Sequence, residues 1–169
     1  FFVMGRFSVR AAQLWLAVAS LFFYAWWNPP YLILLGISII FNYGAGYLLQ
    51  YRERIATKLP PAKLILGLGL VFNLGFLGYF KYSTFFVENL DAAIGAEFTV
   101  TRIALPLAIS FFTFQKIAYL VDSYLGKVKE QSFLNYVLFA AFFPQLIAGP
   151  IVHYSEIFPQ FKKTETYRF

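Results

Sequence analysis

The chain has 169 residues, 60% of them hydrophobic and only 13% charged, with a mean hydropathy of +0.63 and a net charge of +6. Soluble domains carry about 25% charged residues, so the composition excludes an ordinary soluble domain and indicates an integral membrane protein. The 14 Lys and Arg lie between apolar runs rather than in one dense patch, which excludes a nucleic-acid partner and suits the charge bias that orients membrane helices.

A helix needs about 20 apolar residues to cross the hydrocarbon core. Residues 11–27 are the first such run. Arg6 and Arg10 before it mimic a signal peptide, but the run closes on Tyr24-Ala25-Trp26-Trp27, not on a small-residue cleavage site. It therefore reads as a retained span with an aromatic belt. Asn28-Pro29-Pro30 is a tight break. Residues 31–49 form the second span, interrupted only by Asn42 and small residues. A basic loop follows from Tyr51 to Lys63. Residues 64–80 are the third span. Its glycines 67, 69, 75 and 78 are expected to let neighbouring helices approach closely, and Lys81 marks its end. In 82–102, Tyr82, Phe85, Phe86 and Leu90 have helical spacing beside Glu88, Asn89 and Asp91, which predicts a short interfacial helix.

Residues 103–121 are the fourth span, closed by Gly126 to Glu130 with two lysines. If the 51–63 loop is cytoplasmic, Arg6, Arg10, Lys127 and Lys129 fall on the same side. The next run, 133–143, is a half-span before Pro144. A full crossing over 133–152 puts Lys162, Lys163 and Arg168 outside, against the charge rule. A re-entrant segment turning near Pro144 to Pro150 is the preferred reading. The fold class is thus all-α: a polytopic transmembrane protein with about four full spans plus one re-entrant or fifth span, in a single transmembrane region over 1–169.

Polar groups inside these spans are the candidate sites. Phe111, Gln115, Tyr119 and Asp122 share one face of the fourth span, and Lys116 lies about 90° round and deeper. A mid-bilayer charge costs roughly 2.5–3.5 kcal/mol on insertion scales. Two readings stand for this strip. It lines an internal cavity, or Gln115 bonds a neighbouring helix while Asp122 pairs with Lys127 or Lys129. Pro144-Gln145-Leu146-Ile147-Ala148-Gly149-Pro150 breaks the fifth run. Each Pro removes a backbone donor, and Gly149 permits a tight turn. The segment exposes carbonyls beside Gln145 or is a plain kink. His153 is the single imidazole; with no identifiable partner it reads as structural or interfacial, and Tyr154 and Glu156 as headgroup-level anchors. The absence of Cys excludes disulfides and Cys-ligated metals, and one His with eight acidic residues predicts no metal site. No GxxxxGK[ST], HExxH, GxSxG or complete GxGxxG is present.

The runs Leu105-Pro106-Leu107-Ala108-Ile109-Ser110-Phe111-Phe112-Thr113-Phe114-Gln115, Tyr119-Leu120-Val121-Asp122 and Phe142-Phe143-Pro144-Gln145-Leu146-Ile147-Ala148-Gly149-Pro150-Ile151 resemble the membrane-bound O-acyltransferases. The nearest branch is that of the alginate O-acetyltransferases and related D-alanyl transfer proteins. Phe23-Tyr24-Ala25-Trp26-Trp27 and Gly78-Tyr79-Phe80-Lys81-Tyr82 match it too. The resemblance implies a bacterial inner-membrane, multi-pass enzyme that moves an acyl group to hydroxyls of an exported polysaccharide such as alginate. It implies an acyl-CoA or acyl-carrier co-substrate on the cytoplasmic side, no bound cofactor, and a periplasmic or extracellular acetylation partner. The family's catalytic base is a His in the second half of the protein. His153 does not match it, so no catalytic residue is assigned. Gln115, Asp122, Pro144, Gln145, Gly149, Pro150 and His153 are substrate-tunnel or structural candidates. The termini read as those of an N-terminal fragment, which is expected to be inactive alone. The alternative is a transporter or flippase subunit, since broken helices with polar groups at mid-depth also suit transport. A purely structural subunit is a third reading, under which Gln115→Leu and Gln145→Leu leave acylation intact.

Overall fold

The computed structural model describes residues 8–55, 60–94, 105–128, 132–144 and 154. Five helices follow one another: α1 Val9–Trp27, α2 Pro29–Ile55, α3 Ala62–Ile94, α4 Ile109–Tyr124 and α5 Phe133–Ala141. There is no strand among the described residues. By length and composition α1, α2 and α3 can each cross a membrane. The protein is a multi-pass membrane protein.

The Asn-Pro-Pro break separates α1 from α2 by two effects. Asn28 precedes a proline and is held extended, at φ −159° and ψ 103°, because the following ring disfavours the helical region. Pro29 and Pro30 then open α2, where a missing N–H costs nothing. α2 touches all four other helices and is the centre of the bundle. α4 and α5 lie inside it: nine of the 16 residues of α4 and seven of the nine in α5 are buried.

α3 differs from the sequence expectation. It runs unbroken through residues 82–94, so no separate interfacial helix forms there. Lys81 does not end it because no proline or glycine lies between Gly78 and Ile94, and a charge alone does not break a helical ladder. At 33 residues it is about 50 Å long, well beyond the hydrocarbon core of about 30 Å. Its buried residues are Ile65, Gly69, Asn73 and Leu77, a single i, i+4 stripe. The remaining apolar face, from Leu64 and Leu68 to Tyr79 and Phe86, is exposed, as a lipid-facing helix requires.

The glycines of α3 do not all serve close packing. A Cβ on Gly69 would lie 2.6 Å from Leu120 Cδ1, so here α3 and α4 approach closely. At Gly67, Gly75 and Gly78 a Cβ would meet nothing within 4 Å.

α4 begins later than the fourth apolar run suggests, after a turn in which Ala108 has φ 56° and ψ 25°. This left-handed conformation is unfavourable for a residue with a Cβ. The Tyr24 hydroxyl of α1 donates to Leu107 O at 3.3 Å and tethers the turn. At the other end Gly126, at φ 69°, closes α4. Lys127 N donates to Asp122 O at 2.9 Å and Gly126 N to Ser123 O at 3.2 Å, the paired bonds of a Schellman cap. At 16 residues α4 is about 24 Å long, short of a full crossing.

α5 is shorter still. Its ladder is interrupted at Phe142, at φ −59° and ψ 105°, just before Phe143-Pro144. Tyr154 then lies with its ring 5.2 Å from Phe139 and 5.4 Å from Tyr119. A straight helix would put residues 139 and 154 about 22 Å apart. A single continuous helix over 133–152 is therefore excluded, in keeping with the re-entrant reading. Tyr154 is buried, not a headgroup-level anchor. Its ring fills the space between α4 and α5.

Candidate functional site: a polar seam through the bundle

Two polar groupings occupy the interior. The first joins α2, α3 and α4 at mid-depth. Asn42 Nδ2 donates to Ser38 O at 2.8 Å, and Asn73 Nδ2 donates to Gly69 O at 2.8 Å. A carbonyl can only accept, so these bonds fix which amide atom is which. The two side chains then pair reciprocally: Asn73 Nδ2 donates to Asn42 Oδ1 at 2.6 Å and Asn42 Nδ2 to Asn73 Oδ1 at 3.2 Å. Lys116 completes the group from α4. Its Nζ donates to Ser38 Oγ at 2.9 Å and stands 4.3 Å from the centre of the Phe112 ring.

The depth of this group follows from helix geometry. Lys81 Nζ donates to Ser110 Oγ at 3.5 Å, about 28 Å along α3 from its first residue, Ala62. Asn73 lies eight residues inward of Lys81, about 12 Å, and Lys116 six inward of Ser110, about 9 Å. The Lys116 ammonium is fully buried. Among the described residues, the ion pair formed is that of Lys127 with Asp122, and Lys116 has no carboxylate. Its contacts are a hydroxyl and an aromatic face.

The second grouping joins α4 to α5. Gln115 Nε2 donates to Phe139 O at 2.9 Å, satisfying a carbonyl near the end of the interrupted helix, where intrahelical donors run out. Its Oε1 is buried and has no hydrogen-bond partner among the described residues. One turn on, Tyr119 packs at 4.5 Å against Tyr136, which also meets Tyr43 at 5.6 Å. The Tyr136 hydroxyl is buried, again with no partner among the described residues. A Cβ at Gly46 would fall on the Tyr119 hydroxyl, so α2 needs glycine there. Asp122 closes this face, its carboxylate 3.8 Å from the exposed Lys127.

The predicted strip on α4 is thus largely real. Gln115, Tyr119 and Asp122 are buried together, with Phe111 half-buried beside them. Gln115 bonds a neighbouring segment and Asp122 pairs with Lys127, as the second reading of the strip expects. Pro144 lies at the interruption and is exposed. Gln145, Gly149, Pro150 and His153 lie outside the described residues. Sequence reasoning missed the Asn42–Asn73 pair. The signal was present as one amide in each of two apolar spans, and such residues in lipid seek partners across helices.

Over this frame the chain is 45% identical to the peptidoglycan O-acetyltransferase of Helicobacter pylori, an alignment covering 89% of this chain and 32% of that protein. It is 37% identical to the probable alginate O-acetylase AlgI of Pseudomonas aeruginosa and 39% identical to that of Azotobacter vinelandii, over 90% of this chain in each case. The chain resembles the alginate O-acetylases and the peptidoglycan O-acetyltransferase over nearly all of its own length. The chain spans about a third of the length of these relatives, covering 32%, 30% and 31% of them. No family model matches the chain and no solved structure matches it.

Proposed function

We propose that this chain forms part of a membrane enzyme that transfers acetyl groups to hydroxyls of an exported polysaccharide. The observation that carries this is the similarity over nine tenths of the chain to two kinds of relative whose names share one chemistry, acetylation of a polysaccharide. The acyl donor is a thioester, acyl-CoA or an acyl carrier, presented from the cytoplasmic side. An acceptor hydroxyl attacks the thioester carbonyl; the new C–O bond forms as the C–S bond breaks, and the hydroxyl proton leaves through a general base to the thiolate. No residue described here takes that base role. The described residues supply the housing: helices that place the Gln115 amide beside the α5 interruption, where its Oε1 accepts from an O–H or N–H. The enzyme sits in the bacterial inner membrane with an extracytoplasmic acetylation partner. The transporter reading is not favoured, since the relatives are named for acetyl transfer.

The test is complementation. The full-length protein, expressed in a host lacking polysaccharide O-acetylation, restores ester-linked acetate on the polymer. The 169-residue chain alone does not. Gln115→Leu in the full-length protein lowers acetate incorporation at least tenfold while membrane insertion is retained. Normal acetylation by Gln115→Leu would favour the purely structural reading of that side chain, and no acetylation by the full-length protein would overturn the proposal.

A further inference from the structure

An aromatic layer divides the seam between α2, α4 and α5. Tyr119 of α4 and Tyr136 of α5 are fully buried, with ring centres 4.5 Å apart. The Tyr119 hydroxyl takes the place that a Cβ at Gly46 of α2 would need. Tyr154 stands against Tyr119 on a further side, at 5.4 Å. α2 and α4 run in the same direction past this layer. Ser38 meets Lys116, and further along both helices Gly46 meets Tyr119. Gln115 precedes Tyr119 by one turn and Gln50 follows Gly46 by one turn. The two amides therefore lie on opposite sides of the layer, about 12 Å apart along the bundle. Gln50 is on the side of the basic 51–63 segment.

Polar atoms are stranded on each side of the closure. Gln115 Oε1 on one side, and both Gln50 Nε2 and Oε1 on the other, are buried with no hydrogen-bond partner among the described residues. The Tyr136 hydroxyl, inside the layer, is in the same condition. About nine in ten buried polar groups in proteins are paired, and four stranded atoms at successive levels of one seam need a common explanation.

We infer that Tyr119 is the gate of a passage leading from the 51–63 side of the bundle to Gln115, shut in this structure. The stranded atoms are then the polar lining of that passage, paired when it is filled and orphaned when the ring closes it. One side-chain rotation is enough to open it, because χ1 of a tyrosine has other staggered wells and the slot at Gly46 holds only the ring tip. Opening loses aromatic packing but frees the stranded atoms to find partners, which brings the two states closer in energy than apolar flanks would. The Gln50 amide has both a donor and an acceptor to satisfy, so what passes is a slender polar molecule able to do both. On the acetyl-transfer reading, on which this last step alone rests, that molecule is the amide-bearing arm of the thioester donor.

Thiol labelling tests the gate directly. The 169 residues contain no cysteine, so an introduced thiol stands alone once any others in the full-length protein are replaced. The full-length protein in nanodiscs is treated with methanethiosulfonate ethyltrimethylammonium. Gln115→Cys reacts slowly with Tyr119 in place, and adding Tyr119→Ala raises its rate at least tenfold. Tyr119→Phe, which keeps the ring, leaves the rate within twofold. Gln50→Cys, on the near side, reacts alike in both backgrounds. Leu35→Cys, as deeply buried but outside the seam, stays protected in both. Where Tyr119→Ala fails to fold, Tyr136→Ala removes the other ring of the layer and gives the same rise. Four results each overturn the inference: Gln115→Cys as fast as the exposed Leu125→Cys with Tyr119 present, no rise in Tyr119→Ala, an equal rise at Leu35→Cys, or Gln50→Cys that itself waits on Tyr119→Ala. Acetylation is not the readout, so failure of the gate and failure of the enzymatic proposal are told apart.

Discussion

Replacing Asn73 by Leu removes more than one hydrogen bond. The side chain donates to Asn42 Oδ1 and Gly69 O and accepts from Asn42 Nδ2. After substitution Asn42 keeps its bond to Ser38 O at 2.8 Å, but its Oδ1 is stranded inside the bundle. Interhelical hydrogen bonds in membranes average about 0.6 kcal/mol and reach about 1.7. Two such bonds between one pair, plus a stranded oxygen costing about 1–3 kcal/mol, put Asn73→Leu at about 2–4 kcal/mol destabilising. Asn42→Leu should cost about the same. The double replacement leaves no stranded amide, so its cost falls well short of the sum. The resulting coupling is about 3 kcal/mol. Unfolding of the full-length protein by SDS in mixed micelles measures all four corners of the cycle. Additive single effects, with coupling below about 0.3 kcal/mol, would show that the reciprocal pair does not hold α2 to α3 and would refute the argument.

Gly46→Ala should cost about 1–3 kcal/mol by overpacking against Tyr119, and Tyr119→Leu in the same protein should recover most of it; thermal melts of both variants check this. Lys116→Met should be neutral or stabilising in the same melts, because among the described residues no carboxylate pairs with this buried group to be stranded; a loss of several kcal/mol would reveal a counter-charge elsewhere in the protein. Lys127→Ala should cost less than about 1 kcal/mol, since its pairing with Asp122 is long, at 3.8 Å, and its own side chain is 58% exposed.

The helices were legible because lipid demands long apolar runs, and Asn-Pro-Pro, Pro144 and Gly126 act locally through backbone sterics. The buried strip on α4 was legible because helical spacing is regular. What could not be read depended on three-dimensional partners. Asn42 and Asn73 are 31 positions apart and become a pair only once α2 and α3 turn the same faces together. The end of α3 was misjudged because a charge next to aromatic residues looks like a boundary, whereas the backbone has no reason to stop there. The glycines of α3 look alike in sequence, and only contact with Leu120 separates Gly69 from the rest. Tyr154 was misplaced because its position depends on the chain returning to Phe139.

The length of α3 has a consequence for how the protein sits in its membrane. Its exposed face is apolar from Leu64 to Tyr79, and beyond Lys81 the exposed Tyr82, Phe85, Phe86, Leu90 and Ile94 are interspersed with exposed Glu88 and Asn89, so hydrophobicity alone sets no sharp height for the helix along the bilayer normal. A tilt of about 20°, usual for membrane helices, still leaves it a vertical reach of about 47 Å. Its height must instead come from fixed points on its neighbours, the Asn42–Asn73 pair inside and the Lys81–Ser110 contact at the rim. Thicker membranes would draw Tyr82 and Phe86 into the acyl region, while thinner ones would leave more of the rod standing clear. The helix thus tolerates a change in membrane thickness that would force a matched span to bend or shift.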